Sequence, residues 1–279
     1  MKIVWINDHD LLTRKAGGAE LTDSFMINYG VDELGFEIRC LRPHELSNVD
    51  LDDYDFCVLS NNSAFTNVQR AEILTRPHII YCHDAQGWLR IYKNICPEIF
   101  SRSKLNIFLS PLHKKVFNNP SKSICIPPHM PDYIQDLGRD REKNKVIYIG
   151  NVWDGLKGAN LLYDYIKMDT QKTFYFYFHR YLPFHKERLG SLKNTRMIGY
   201  IPHSQVSEEL NSAEYFIHLP NDIEAFGRAV AEAYLSGCKI IGNNSIGAFS
   251  YEWSLLKDYF RSKTAESPKL FWDKVLGSI

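Results

Sequence analysis

Short apolar runs and longer amphipathic runs take turns along this chain, and the whole rhythm is played twice. Lys2–Ile6, Glu37–Leu41, 54–59, His78–Cys82, 105–109 and 123–126 read as strands, and 19–34 is the clearest intervening helix, its apolar residues three to four apart. After an interruption the pattern restarts, with strands expected at 146–149, 174–178, 196–198, 215–219 and 239–241 and helices at Ala159–Met168, 205–213 and 226–236. Two helical pieces, 251–260 and 268–276, close the chain. Strands joined by helices run parallel, and a parallel sheet is buried only when helices cover both faces. The expected fold class is therefore α/β, with two Rossmann-like domains facing across a cleft at the carboxyl ends of their sheets, where ligands bind in such folds.

The interruption runs from Pro127-Pro128-His129-Met130-Pro131 to a charged cluster, Arg139-Asp140-Arg141-Glu142-Lys143. Tandem prolines resist both helix and central strand, so the segment reads as a linker, the alternative being a long surface loop within one domain. At about 100–200 residues per domain, a chain of 279 accommodates two. The expected division is 1–136, then 137–250, then terminal helices at 251–279 that pack back toward the first half.

The 33 basic residues balance the 33 acidic ones. A general nucleic-acid binder needs a basic excess to displace counterions from phosphates, so nucleic acid is not an expected partner. No apolar run approaches the roughly 18–20 residues of a membrane span. The start, Met1-Lys2-Ile3-Val4-Trp5-Ile6-Asn7-Asp8, turns polar too early for a signal peptide, and a cytoplasmic location is expected. Of the six cysteines, Cys40, Cys57, Cys82, Cys125 and Cys238 lie in or beside apolar runs, where a free thiol acts as a small hydrophobe; Cys96 does not. Reduced thiols fit the same compartment. Between Arg102 and Lys122 five lysines and arginines occur without an acid. Such a run suits a weak peripheral contact with an anionic membrane face, although a solvated helix face is its commoner use.

The stretch Glu224-Ala225-Phe226-Gly227-Arg228-Ala229-Val230-Ala231-Glu232 carries the strongest chemical signal. It follows an expected strand, so Glu224 stands at a strand end. Taken as one helix, its two glutamates share a broad face about 12 Å apart, roughly a sugar-plus-diphosphate length. Carboxylates accept hydrogen bonds from sugar hydroxyls, and a helix start offers N–H groups to phosphate. The bland alternative is a capping acid followed by an ordinary exposed glutamate.

Glu-x-Phe-Gly, a second Glu eight residues after the first, and Gly237-Cys238-Lys239-Ile240-Ile241 beyond it resemble the retaining glycosyltransferases of family 4, which have the GT-B fold. The resemblance covers about residues 1–250. It implies that Glu224 contacts a donor sugar, with Phe226, Gly227 and Arg228 beside it, and that Glu232 holds the ribose of a nucleotide. It makes 1–136 the acceptor-side domain and 137–250 the donor domain. No cofactor beyond the nucleotide-sugar co-substrate is implied, and no metal, because in the family cationic groups neutralise the diphosphate.

Other elements follow in the family's order. Ile149-Gly150-Asn151 and Lys157-Gly158 lie between a strand and a helix, a natural diphosphate cradle in which Lys157 matches the family's lysine. Asn151 stands where the family has arginine, and Arg228 or Arg180 is the expected substitute charge. Gly17 and Gly18 open the first helix as the family's Gly-Gly loop does. His83, ending Tyr81-Cys82-His83-Asp84, is expected to position sugar or acceptor. Tyr200 and Ile201 resemble the nucleobase loop, and Ile246-Gly247 the loop touching donor phosphate. The run Phe174-Tyr175-Phe176-Tyr177-Phe178 reads as core rather than a sugar platform.

The catalytic set expected is thus Glu224, His83 and Lys157, and the donor-binding set Gly17, Gly18, Gly150, Asn151, Lys157, Tyr200, Ile201, Glu224, Phe226, Gly227, Arg228 and Glu232. The expected reaction moves a sugar from a nucleotide-diphosphate-sugar to a hydroxyl of a glycan or lipid-linked acceptor, with retention. Two other readings are a nucleotide-sugar binding module without catalysis, motivated by Asn151, and a nicotinamide dehydrogenase. The missing Gly-x-Gly-x-x-Gly speaks against the dehydrogenase.

Overall fold

The computed structural model describes residues 1–7, 17–60, 67–84, 96–152, 157–178 and 181–279, apart from the side chains of 67, 70, 71, 96, 97 and 99. The chain divides into two compact units, Met1–His129 with Lys263–Ile279, and Met130–Ser262.

In the first unit, β1 (Lys2–Ile6), β2 (Glu37–Leu41), β3 (Phe56–Ser60), β4 (His78–Cys82), β5 (Leu105–Phe108) and β6 (Ser123–Cys125) form one parallel sheet in the order β2-β1-β3-β4-β5-β6. The helices described between them are α1 (Gly18–Asp32), α2 (Asn67–Leu74), α3 (Cys96–Arg102) and α4 (Pro111–Val116). Every residue of β3 and β4 is buried, the pattern of strands covered on both faces. Ser110 caps α4 by accepting the His113 N–H at 3.0 Å, and Pro111 takes the first helical position, where its missing N–H costs nothing.

The second unit repeats the plan with β7 (Glu142–Ile149), β8 (Thr173–Tyr177), β9 (Thr195–Gly199), β10 (Ala213–His218) and β11 (Lys239–Gly242), parallel in the order β11-β10-β7-β8-β9. Its helices are α5 (Ala159–Met168), α6 (Pro183–Gly190), α7 (His203–Ser212), α8 (Arg228–Leu235) and α9 (Lys257–Ala265), the last extending past the division. Strand order reverses direction between β7 and β10, so their carboxyl ends form the topological switch point of this sheet. Phe174 and Phe176 of the aromatic run are fully buried, while Tyr175 on the opposite face lies under the Lys145 ammonium at 4.9 Å.

Three boundaries differ from expectation. Residues 130–136 belong to the second unit: Ser207 Oγ donates to the Tyr133 carbonyl at 2.7 Å, Asn211 Nδ2 to Gln135 O at 2.9 Å, and Arg261 Nη2 to Ile134 O at 2.5 Å. The charged cluster ends as β7 itself, which begins at Glu142. The helix expected at 251–260 begins only at Lys257. Before it, Ser254 N–H turns back to Tyr251 O, and the Tyr251 and Trp253 rings stack at 4.4 Å.

The terminal helix α10 (Ser267–Leu276) completes the first unit by packing on α1. Trp272 is 1% exposed, its ring lies edge-on to Phe36 at 5.3 Å, and its Nε1 donates to Met26 O at 2.8 Å. Three cysteines, Cys57, Cys82 and Cys238, are buried free thiols; Cys125 is half-buried, Cys40 is exposed, and Cys96 lies outside the described side chains. Among the described residues no helix is long and apolar enough to cross a membrane.

Candidate functional site

The carboxyl end of β10 places His218 inside the second unit, and the chain then turns through Leu219-Pro220 toward Glu224. Glu224 is not helical. Its N–H donates to Ser245 O at 2.9 Å and its carbonyl accepts from Gly247 N–H at 3.0 Å, a short parallel bridge to the segment after β11. Gly227 then takes φ +85°, a left-handed conformation open to glycine, and α8 starts at Arg228. The expectation of Glu224 and Glu232 on one helix face is therefore corrected: only Glu232 is on the helix.

Two side-chain nitrogens converge on one oxygen of Glu224. Lys157 Nζ stands 2.6 Å from Oε2, and His218 Nε2 stands 3.2 Å from the same atom. Oε1 accepts nothing among the described residues. Burial pushes the Glu224 carboxyl up, but Lys157 and His218 outweigh it and hold the group well below the usual carboxylate range. The His218 ring stacks on buried Tyr148 of β7, with ring centres 6.2 Å apart, and Tyr148 Oη donates to the Asn151 carbonyl at 2.8 Å. Burial first, then the Glu224 charge, push the Tyr148 hydroxyl upward.

Gly158 brings Lys157 to this place. Its φ is +65°, and a β-carbon there would meet the Leu219 carbonyl oxygen at 1.9 Å, so the loop after β7 can lie directly on the end of β10 only with glycine. Gly150 follows β7, where its N–H donates to Tyr177 O at 3.0 Å.

A second buried carboxylate lies four residues into α8. Glu232 Oε1 receives Arg228 Nε at 2.8 Å and His203 Nε2 at 3.1 Å, and Tyr133 Oη lies 2.9 Å from His203 Nδ1. Burial raises this carboxyl, and Arg228 and His203 turn the net effect downward. Arg228 is thereby bound to Glu232, and Arg180 lies outside the described residues. Phe226 is buried against Phe260, with ring centres 6.3 Å apart. Tyr200 is exposed and Ile201 half-buried, between β9 and α7.

Gly17, Gly18 and His83 belong to the first unit. Gly17 precedes α1, whose first residue is Gly18; the Gly17 carbonyl accepts the Leu21 N–H at 3.1 Å. His83 Nε2 is 2.8 Å from Asp23 Oδ1, while Asn7 Nδ2 and Ser60 Oγ both donate to Oδ2, the latter at 2.6 Å. Asn7, Ser60 and His83 sit at or just beyond the carboxyl ends of β1, β3 and β4, and Asp23 reaches them from α1. Burial first, then the nearby His83, push the His113 imidazole down to about 3.

The structure thus joins Lys157 with Glu224 and Arg228 with Glu232. Sequence reasoning missed His218, Tyr148, His203 and Asp23 as partners. Their signal was present: His218 is the polar end of the apolar run Tyr215-Phe216-Ile217, and Asp23 falls on the apolar face of α1 with Met26 and Ile27.

No family model and no curated protein sequence matches the chain. Solved structures do. HepE of Anabaena, in complex with UDP-glucose, is 15% identical over 97% of this chain and 94% of its own, with a TM-score of 0.64. The lipopolysaccharide outer core galactosyltransferase WaaB, apo form, is 12% identical over 100% of both chains, TM-score 0.64. Sucrose-phosphate synthase from Thermosynechococcus elongatus is 11% identical over 99% of this chain and 94% of its own, TM-score 0.71. With two parallel sheets of matching build, this chain has the fold of these GT-B glycosyltransferases.

Proposed function

We propose that this chain is a glycosyltransferase that moves a sugar from a nucleotide-diphosphate-sugar to a hydroxyl of a glycan or lipid-linked acceptor. The observation that carries the reading is the Lys157–Glu224 pair at the switch point of the second sheet, 2.6 Å long. That is where open α/β sheets bind ligands, and an ammonium beside a carboxylate is a pair of handles for diphosphate and sugar. In the reaction, Lys157 would turn from Glu224 to the diphosphate and stabilise the charge growing on the leaving nucleotide. Glu224 Oε1 would accept a sugar hydroxyl and fix the ring in place. Glu232 would take the ribose, and His83, held by Asp23, would position the acceptor or sugar. Retention of configuration follows from the resemblance to family 4, and a cytoplasmic location from the sequence pattern.

HepE's UDP-glucose makes UDP-sugars the first donors to test. Release of UDP is measured over a panel of nucleotide-sugars with alcohol and glycan acceptors. The double variant Glu224→Ala, Lys157→Ala is expected to lose about a hundredfold or more of wild-type turnover. Wild-type-like transfer by that variant would sink the assignment.

One observation favours a second reading. Asn151 stands where the family it resembles has arginine, and Arg228 is engaged by Glu232. A binding module would hold a nucleotide-sugar tightly and show neither transfer nor donor hydrolysis in the same panel.

A further inference from the structure

Lys157 and His218 both address Glu224 Oε2, but they are held in different ways. Lys157 is a flexible ammonium on the loop before α5, one fifth exposed. His218 is 4% exposed, fixed at the end of β10 and stacked on Tyr148. Its Nδ1 is buried with no hydrogen-bond partner. A proton there would be sealed in without an acceptor, so the ring's N–H sits on Nε2 and points at Glu224. One donor can leave for a phosphate, and the other cannot.

We propose that His218 is a positioning residue: its Nε2–H grips Glu224 Oε2 and keeps Oε1 turned toward the donor sugar once Lys157 has moved to the diphosphate. The role rests on the glycosyltransferase reading above. Without His218, a departing Lys157 would leave a largely buried carboxylate with no donor among the described residues, free to rotate or to take up a proton. The charged and titratable groups facing Glu224 here are Lys157 from the loop, His218 from β10 and Tyr148 from β7. The contact with Glu224 therefore discriminates sugar-bearing nucleotide from bare nucleotide, while Lys157 serves both.

His218→Phe keeps the ring stack and removes the N–H; His218→Gln restores a side-chain donor. Isothermal titration calorimetry with UDP and UDP-glucose reads the affinity ratio of the two ligands. His218→Phe is expected to bind UDP within about twofold of wild type and to lose about tenfold of UDP-glucose affinity, with His218→Gln recovering most of it. An unchanged ratio in a folded His218→Phe protein overturns the proposal, and His218→Leu takes its place if the Phe variant does not fold. A second arm needs no nucleotide. In protein labelled with carbon-13 at glutamate Cδ, with Glu224→Gln as the assignment control, the Glu224 resonance is expected to titrate at higher pH in His218→Phe and to return downward in His218→Gln. A Glu224 titration unmoved by His218→Phe also overturns it. Wild type that binds neither UDP nor any nucleotide-sugar of the panel would overturn the glycosyltransferase reading instead, and the titration arm alone would then decide whether His218 governs Glu224.

Discussion

Gly158 lies so tightly under Leu219 that a β-carbon on it would stand 1.9 Å from the Leu219 carbonyl oxygen. The contact ties the loop after β7 to the end of β10 and sets Lys157, the residue before Gly158, beside Glu224. Gly158→Ala must push the two segments apart and also strain a residue at φ +65°. A loss of about 1–3 kcal/mol of stability is expected, from overpacking and backbone strain. Binding of a nucleotide-sugar should fall at least about tenfold, because a small displacement of a positioning loop is costly. Urea denaturation and titration calorimetry read the two effects separately.

The Lys157–Glu224–His218 cluster should make itself felt in acid. The Glu224 carboxyl is lower in the folded protein than its usual 4.5, so the folded state binds its proton less readily than the unfolded chain does. Stability from this group is fully present above about pH 4.5 and is lost progressively as pH falls toward the folded value. Glu224→Gln removes that dependence and leaves Lys157 short of its partner. At pH 7 the variant is expected to be about 2–3 kcal/mol less stable than wild type, with the gap narrowing between pH 4.5 and pH 3. Denaturation midpoints across that range check it; a gap that widens in acid would contradict the assignment.

Asp23 is fully buried and accepts from Asn7, Ser60 and His83. Asp23→Ala removes the carboxylate to which three polar side chains donate at the carboxyl ends of β1, β3 and β4. The cost expected is about 3–5 kcal/mol, the range for breaking a buried charge from its partners. Asp23→Asn keeps the volume but offers an amide N–H₂ to groups that donate, and about 2–3 kcal/mol should be lost. Thermal melts of both variants, in that order of severity, are the measurement.

The terminal helix is expected to be integral to the first unit. Trp272→Ala removes a fully packed indole and its hydrogen bond to Met26 O, at a cost of about 3–5 kcal/mol. Trp272→Phe keeps part of the packing with Phe36 and Phe271 and should cost roughly half as much. Urea denaturation midpoints separate the two.

The two sheets were legible in the sequence because their cause is local. Strands such as Phe56–Ser60 and His78–Cys82 are unbroken apolar runs, and only a parallel sheet covered on both faces buries such runs completely. Glu224, Lys157 and Glu232 were legible for a similar reason, since glycines and carboxylates in short compass announce a loop at a strand end. Beyond that, tertiary structure decided. The fragment from Glu224 to Glu232 reads as one helix by spacing, yet Glu224 finds backbone partners at Ser245 and Gly247, distant in sequence, and those bonds draw it into a short parallel bridge. Arg228 and Glu232 stand four apart on α8, a pairing that local spacing allows, but no local pattern marks Lys157 or His218 as the partner of Glu224, because that contact is set by where folded elements cross. Local residue pattern set the architecture and the chemical vocabulary of the candidate site. Which groups face one another was settled only when the end of β7 met the end of β10, since short-range electrostatics acts across space and takes no account of the order of residues along the chain.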